Sequence, residues 1–487
     1  MTRPAASLPA VGAGLGFAFA VACGFVLDLP WVAVLPAAAV PVLAAVYRPE
    51  WALAFLFFAA PLSINLEDLG IGGVGLYLPT EPVLALLLVL FTFRAVAGNP
   101  VDRRVLRHPV TLWIAAMLLW TLLTSISSVL PAVSFKFLIA RLWFVVGFYL
   151  LTAHFVLQRW QSAERGLVLY LIPLAGVVIY TVVRHADWGF DKDAGHWVMT
   201  PFFKDHTSYG AVLAMCLPAA VGALLVPDRR WGRRGLLLSI LAILVLGTVL
   251  SYTRAAWVSL AGAATLLAAL QMRISLRTLV ATGLLVVAVG WAARDALVIS
   301  LERNRQDSSD NLAEHVESIS NVSSDASNLE RLNRWSCALA LFTERPLAGW
   351  GPGTYQFVYA PFQRSEDRTI ISTNNADGGN AHSEYLGPLA EQGLPGALFM
   401  VGLLGWTLHL GFRLRRTLTD VGERRLATGL FLGLMTYFIH GVLNNYLDTD
   451  KASALFWGFL ATLVALDLRQ RARSEREVEV GGGGREG

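Results

Sequence analysis

Residues 327–353, SNLERLNRWSCALALFTERPLAGWGPG, and 380–396, NAHSEYLGPLAEQGLPG, belong to one long polar stretch between apolar segments, residues 297–393. That stretch holds thirteen Asp/Glu, seven Arg and no Lys, while nearly everything around it is apolar. Loops beyond about 12–15 residues are usually functional or disordered. This one has its own Trp, Arg and His, so it reads as the working part of the molecule and the rest as its scaffold.

Composition supports that division. The chain has 487 residues, is 55% hydrophobic and only 15% charged, with a mean hydropathy of +0.54. Soluble domains carry about 25% charged residues. The expected fold is therefore an all-α polytopic membrane protein of about 12–14 transmembrane helices with a large, partly helical outer loop. Candidate spans lie near 9–27, 31–47, 50–64, 81–95, 109–128, 136–156, 166–183, 207–226, 235–251, 255–271, 277–296, 394–413, 425–443 and 453–468, the third being short. The chain divides into N-terminal spans (1–296), the loop (297–393), C-terminal spans (394–468) and a flexible tail (469–487). No cleavable signal peptide is expected, because the first apolar stretch runs on into a second.

Charge sets the orientation. One alternate set of loops carries Arg3, Arg48, Arg94, Arg103, Arg104, Arg107, Arg159, Arg165, Arg229, Arg230, Arg233, Arg234, Arg273, Arg413, Arg415, Arg416, Arg424, Arg425 and the tail from Arg469. The positive-inside rule places that set and both termini in the cytoplasm and the long loop outside. The inner loops contain no Gly-rich phosphate loop and no Walker-type lysine, which argues against ATP-driven chemistry. Cys23, Cys216 and Cys337 are too few and scattered for a disulfide framework or a zinc site. Nothing suggests nucleic-acid binding.

Three outer constellations hold candidate chemistry. In SYTRAAW (251–257), Arg254 stands at the junction of two spans, as a snorkelling headgroup anchor or as a guanidinium fork facing phosphate. Ser327 and Glu330 have capping-box spacing, so a helix starts there and should end at Pro346. Leu332, Trp335, Leu339 and Phe342 form its apolar stripe, which should face inward along the membrane boundary. Arg331 and Arg334 flank the stripe, and Arg334 is expected on a solvated or headgroup face. GWGPG (349–353) is a turn that lets backbone approach closely. His382 precedes a short helix leading into a span, as an ordinary polar residue or a general base. No second His or Cys sits at metal-ligand spacing, so neither a metal nor another cofactor is expected. His185, His196 and His206 lie on another loop that could cover the site, and His440 fits a hydrogen-bonding residue buried between helices.

In this order, SYTRAAW, Arg331 with Trp335 four residues on, ERPLAGWGPGTY and AHSEYL…EQGLPG resemble the bacterial O-antigen ligase/polymerase superfamily, over residues from about 205 to 446. The resemblance implies an inner-membrane glycosyltransferase with a periplasmic active site, metal-independent and inverting, that uses an undecaprenyl-diphosphate-linked glycan. It implies Arg254 and Arg331 as pyrophosphate-binding residues and His382 as the essential histidine. The implied acceptor is a glycan, lipid A-core or protein. Ser383 departs from the family's frequent Asn, and Pro388 is expected to interrupt the helix after the histidine. The rival class is a transporter, which should pair charges at mid-span depth. If the map is right, a cysteine placed at Ser324 is labelled by an impermeant thiol reagent in intact spheroplasts. Labelling only after permeabilisation reverses the orientation.

Overall fold

The computed structural model describes residues 46–67, 75–98, 101–227, 230–292, 326–364 and 379–482. The expected span 9–27, most of 31–47, and Ser324 lie outside them. Among the described residues the regular structure is helical, apart from a two-residue antiparallel ladder pairing Ile64 with Leu78 and Asn65 with Tyr77. The long helices are α1 (Pro49–Ala59), α2 (Thr80–Val96), α3 (Pro109–Ile126), α4 (Pro131–Gln158), α5 (Gln161–Asp187), α6 (His206–Leu224), α7 (Trp231–Leu250), α8 (Arg254–Gln271), α9 (Leu276–Ala292), α10 (Ala326–Glu344), α11 (Leu386–Thr417), α12 (Val421–His440) and α13 (Asp450–Gly482). Seven of them, α3 to α7, α11 and α13, are long and apolar enough to cross a membrane. The protein is an all-α polytopic membrane protein.

The bundle is wrapped around α13. Its most apolar window is 94% buried, against 28% for α7; a helix apolar on every side belongs in the middle, where each face meets protein. At one end of α13, Lys451 Nζ donates to Ser63 O at 2.9 Å and to Ser63 Oγ at 2.7 Å, and Thr80 Oγ1 donates to Asp450. Toward the other end, buried Asp467 meets Arg413 and Arg471 at 2.7 Å and His108 at 3.3 Å. Beyond the apolar segment the helix continues, and Arg473 forks onto buried Glu423 at 2.7 and 2.9 Å. The arginine-rich loops thus gather at one end of the bundle and the 187–205, 251–254, 379–385 and 441–449 segments at the other.

Two details go beyond the sequence reading. The helix after Ser327 exists, and the face it packs against the protein is a partly polar one rather than its apolar stripe. Leu332 and Leu339 are 43% and 48% exposed, whereas Glu330, Asn333, Arg334, Cys337, Ala338 and Leu341 are buried. The polar members of that face are satisfied by ion pairs and amide contacts that hydropathy does not register. Likewise Pro388 does not break the helix after His382. It sits in the first turn of α11, where a missing N–H costs little. The break falls at Gly393 (φ 68°, ψ −167°). A side chain there would place its Cβ 2.2 Å from Leu347 O, so the turn before GWGPG is what demands glycine.

α12 is pressed against α6 through Gly222 and Gly429, whose Cα atoms stand where a Cβ would collide. A Cβ on Gly429 would lie 2.5 Å from Pro218 O and 2.8 Å from Gly222 Cα. Such small-residue contacts let backbones approach in a membrane, where packing replaces hydrophobic drive. Gly429→Ala should destabilise the detergent-purified protein by about 1–3 kcal/mol through overpacking, read as a lower melting temperature. Gly232→Ala, with nothing within 4 Å of its Cβ, should leave it unchanged; equal melting of the two variants would deny that this contact is tight.

Candidate active site

His382 is held by its neighbours in sequence. Asn380 Oδ1 accepts from His382 N at 3.0 Å, and the histidine backbone takes φ +46°, in the left-handed region that non-glycine residues enter rarely. Ser383 Oγ accepts from Tyr385 N and Leu386 N at 3.2 and 3.3 Å, capping donors at the start of α11 as an asparagine would. The departure at 383 therefore keeps the local chemistry. Glu384 N donates to Gly441 O at 2.7 Å, and Tyr385 Oη to Phe438 O at 3.0 Å. The segment is thereby tied across the end of α12.

Glu384 makes that tie rigid. Its Oε1 accepts from Tyr446 N at 2.9 Å, from Leu447 N at 3.1 Å and from the Tyr437 hydroxyl. Burial, then the nearby Asp448 charge, push its carboxyl above the usual range. The Tyr446 hydroxyl in turn meets Thr207, whose Oγ1 donates to Asp205 Oδ1 at 2.6 Å. Asp205 caps α6 by accepting from Ser208 N at 2.8 Å. Thr253 Oγ1 donates to His206 O at 2.7 Å, which fixes the start of α8. Arg254, half-buried, is the first residue of that helix, at the positive end of its dipole.

Arg331 comes from α10, which Arg334 anchors. Arg334 is 5% exposed, so it does not lie on a solvated or headgroup face. Its Nε donates to Glu330 Oε1 at 2.7 Å, its Nη1 to Asn380 O at 3.2 Å, and its guanidinium lies 5.0 Å over the Tyr359 ring. Tyr355 Oη donates to Arg334 O at 2.7 Å. The residue that holds His382 is thus itself held by Arg334. The GWGPG turn closes the arrangement: Trp350 N donates to Ala390 O at 3.2 Å, Gly351 N to Glu391 O at 2.8 Å, and Leu394 N to Pro346 O at 2.8 Å. Two sequence motifs read separately form one interlocked unit.

Arg331 lies within electrostatic reach of His382, His206, His440 and Tyr446, and Asp205 faces the same four. His196 stacks on His206 with ring centroids 4.3 Å apart, so the 187–205 loop reaches this cluster. Burial first, then Arg334 and Arg331, lower the His382 pKa from its ordinary value to about 4, against the opposing pull of Asp205 and Glu330. His382 is therefore neutral at pH 7 and able to take a proton. The arrangement combines guanidinium charge with a neutral imidazole at one end of the bundle. Sequence reasoning left out Asp205, His440 and Tyr446 as members of this cluster; the phrase KDHTSYG was its nearest signal.

A family model described as O-antigen ligase matches residues 240–401, a range that contains Arg254, Arg331 and His382 but not Asp205, His206, His440 or Tyr446. No curated protein matches the chain. Removing the Glu384 carboxylate leaves the Tyr446 and Leu447 amides and the Tyr437 hydroxyl without their acceptor. Glu384→Ala should cost about 3 kcal/mol, from buried donors left unpaired at roughly 1–3 kcal/mol each. It should also lower activity more than a distant variant of equal melting temperature. A melting temperature equal to wild type would remove Glu384 as the tie.

Proposed function

Because the chain belongs to the O-antigen ligase/polymerase superfamily through residues 240–401, we propose that it transfers a glycan from an undecaprenyl-diphosphate carrier to an acceptor hydroxyl, as an O-antigen ligase or polysaccharide polymerase. The reaction is placed on the periplasmic face of the bacterial inner membrane, opposite the arginine-rich loops. One observation carries the proposal: His382, kept neutral by burial and nearby guanidinium charge, lies within electrostatic reach of Arg331, at the end of the bundle to which Thr253 and His206 also bring the head of α8.

The chemistry is a single displacement. His382 accepts the proton of the acceptor hydroxyl as its oxygen attacks the anomeric carbon. The new C–O bond forms as the bond to diphosphate breaks, and that electron pair leaves with the diphosphate, inverting the centre. Arg254 and Arg331 hold the diphosphate bidentately and offset the charge that grows on it. No metal is assigned a part. Among the described residues, the charged groups buried in the spans (Glu81, Glu164, Glu423, Asp450, Lys451 and Asp467) sit near the ends of the apolar segments, which favours an enzyme over a transporter.

The test is a reconstituted assay with lipid-linked glycan. His382→Ala and His382→Gln should both abolish turnover while still binding donor, and Arg254→Lys or Arg331→Lys should lose most activity in folded protein. EDTA should have no effect. In kcat/KM, which reports the free enzyme, activity should stay level from pH 7 well below the ordinary histidine value of about 6.5 and fall as pH approaches about 4, because protonation removes the base. In kcat the acid limb should lie higher, since bound diphosphate stabilises the imidazolium. Substantial turnover by His382→Gln, or a kcat/KM limb at 6.5 or above, would take the base role away from His382.

A further inference from the structure

His440 closes α12 and is 1% exposed. Its Nε2 lies 3.2 Å from Asn444 Nδ2. An amide NH2 only donates, so Nε2 is the acceptor and the proton of the neutral ring sits on Nδ1. That Nδ1 is buried and has no hydrogen-bond partner. Buried ring nitrogens are ordinarily satisfied, and a buried N–H with no acceptor in the protein is a donor available to a bound ligand. The Arg331 charge lies within reach of the same ring, and Tyr446, tied to Glu384 through its backbone, stands 5.9 Å from it ring to ring. A donor without an acceptor, within electrostatic reach of a guanidinium, is the local chemistry of an anion site.

We propose that His440 is a third donor-binding residue, its Nδ1–H donating to a diphosphate oxygen of the polyprenyl-linked substrate alongside Arg331. This rests on the proposal that the site takes a polyprenyl diphosphate. Asn444 serves as the positioning residue: by engaging Nε2 it sets the tautomer that leaves the proton on Nδ1. His440 takes no proton in the reaction, so its loss weakens binding of the donor and leaves the chemical step to His382.

The experiment measures binding of farnesyl diphosphate to the full-length protein in detergent, together with KM and kcat for lipid-linked glycan. His440→Ala should raise the farnesyl diphosphate Kd and the donor KM by roughly 10- to 100-fold, the value of one hydrogen bond to a charged group, with kcat and acceptor KM near wild type. His440→Asn puts an amide donor near the Nδ1 position and should bind within about threefold of wild type, whereas His440→Gln extends toward Nε2 and should bind as poorly as Ala. A purely structural imidazole predicts the reverse order, with Gln rescuing through Asn444. Binding by His440→Ala equal to wild type, rescue by Gln rather than Asn, or a rise confined to acceptor KM would each overturn the inference while leaving the proposed function standing. Wild-type protein that fails to bind farnesyl diphosphate or lipid-linked donor would overturn both.

Discussion

One carboxylate oxygen, Glu384 Oε1, takes the amides of Tyr446 and Leu447 and the hydroxyl of Tyr437, and the histidine-bearing end of the bundle is tied together through it. Through those bonds the 379–385 segment is fixed to the end of α12 and to the turn that leads into α13. His382 is two residues away from this tie, and its position follows from it. From Tyr446 the network continues through Thr207 and Asp205 to the head of α6. From there Thr253 sets the start of α8. A carboxylate buried with several donors is costly to assemble and hard to disturb once complete. It suits a site whose parts come from four separate places in the chain.

A second constraint comes from α10. This helix lies beside the bundle and buries a face that includes Glu330, Asn333 and Arg334. The ion pair between Arg334 and Glu330 frees the remaining guanidinium nitrogens to hold Asn380, which turns the backbone of His382. After burial, which lowers the His382 pKa most, the same guanidinium lowers it further. Arg334 thus acts on the histidine twice, by geometry and by charge, without any need to touch substrate. The opposite end of the bundle uses charge differently. Asp467 and Glu423 pair with Arg413, Arg471 and Arg473, so part of the charge at that end also fastens α13 to its neighbours.

The membrane scaffold was legible in the sequence because lipid leaves few alternatives. A spanning backbone must satisfy its own hydrogen bonds, so each span is a run of apolar residues whatever its partners are. The bounds of α3, α6 and α7 follow from such runs. The helix over Ala326–Glu344 and its stop before Pro346 were legible too, the stop from proline sterics. Its buried face was not, because hydropathy assigns Glu330 and Arg334 to water unless their partners are known. Gly393 shows the same limit: glycine is visible in EQGLPG, but its necessity comes from Leu347 O, far away in sequence.

By itself, the sequence determined that this is a helical membrane protein with one large polar stretch, and the resemblance of its short motifs to a known family singled out Arg254, Arg331 and His382. Only the tertiary structure decided what surrounds them. Asp205, His440 and Tyr446 carry no motif, since what matters about each is its distance from residues on other helices. The Nδ1 of His440 becomes notable only when packing removes water and supplies no acceptor. A pattern along the chain records what each residue can do alone, whereas electrostatic reach and buried hydrogen-bond satisfaction are properties of pairs and become fixed only when the helices pack.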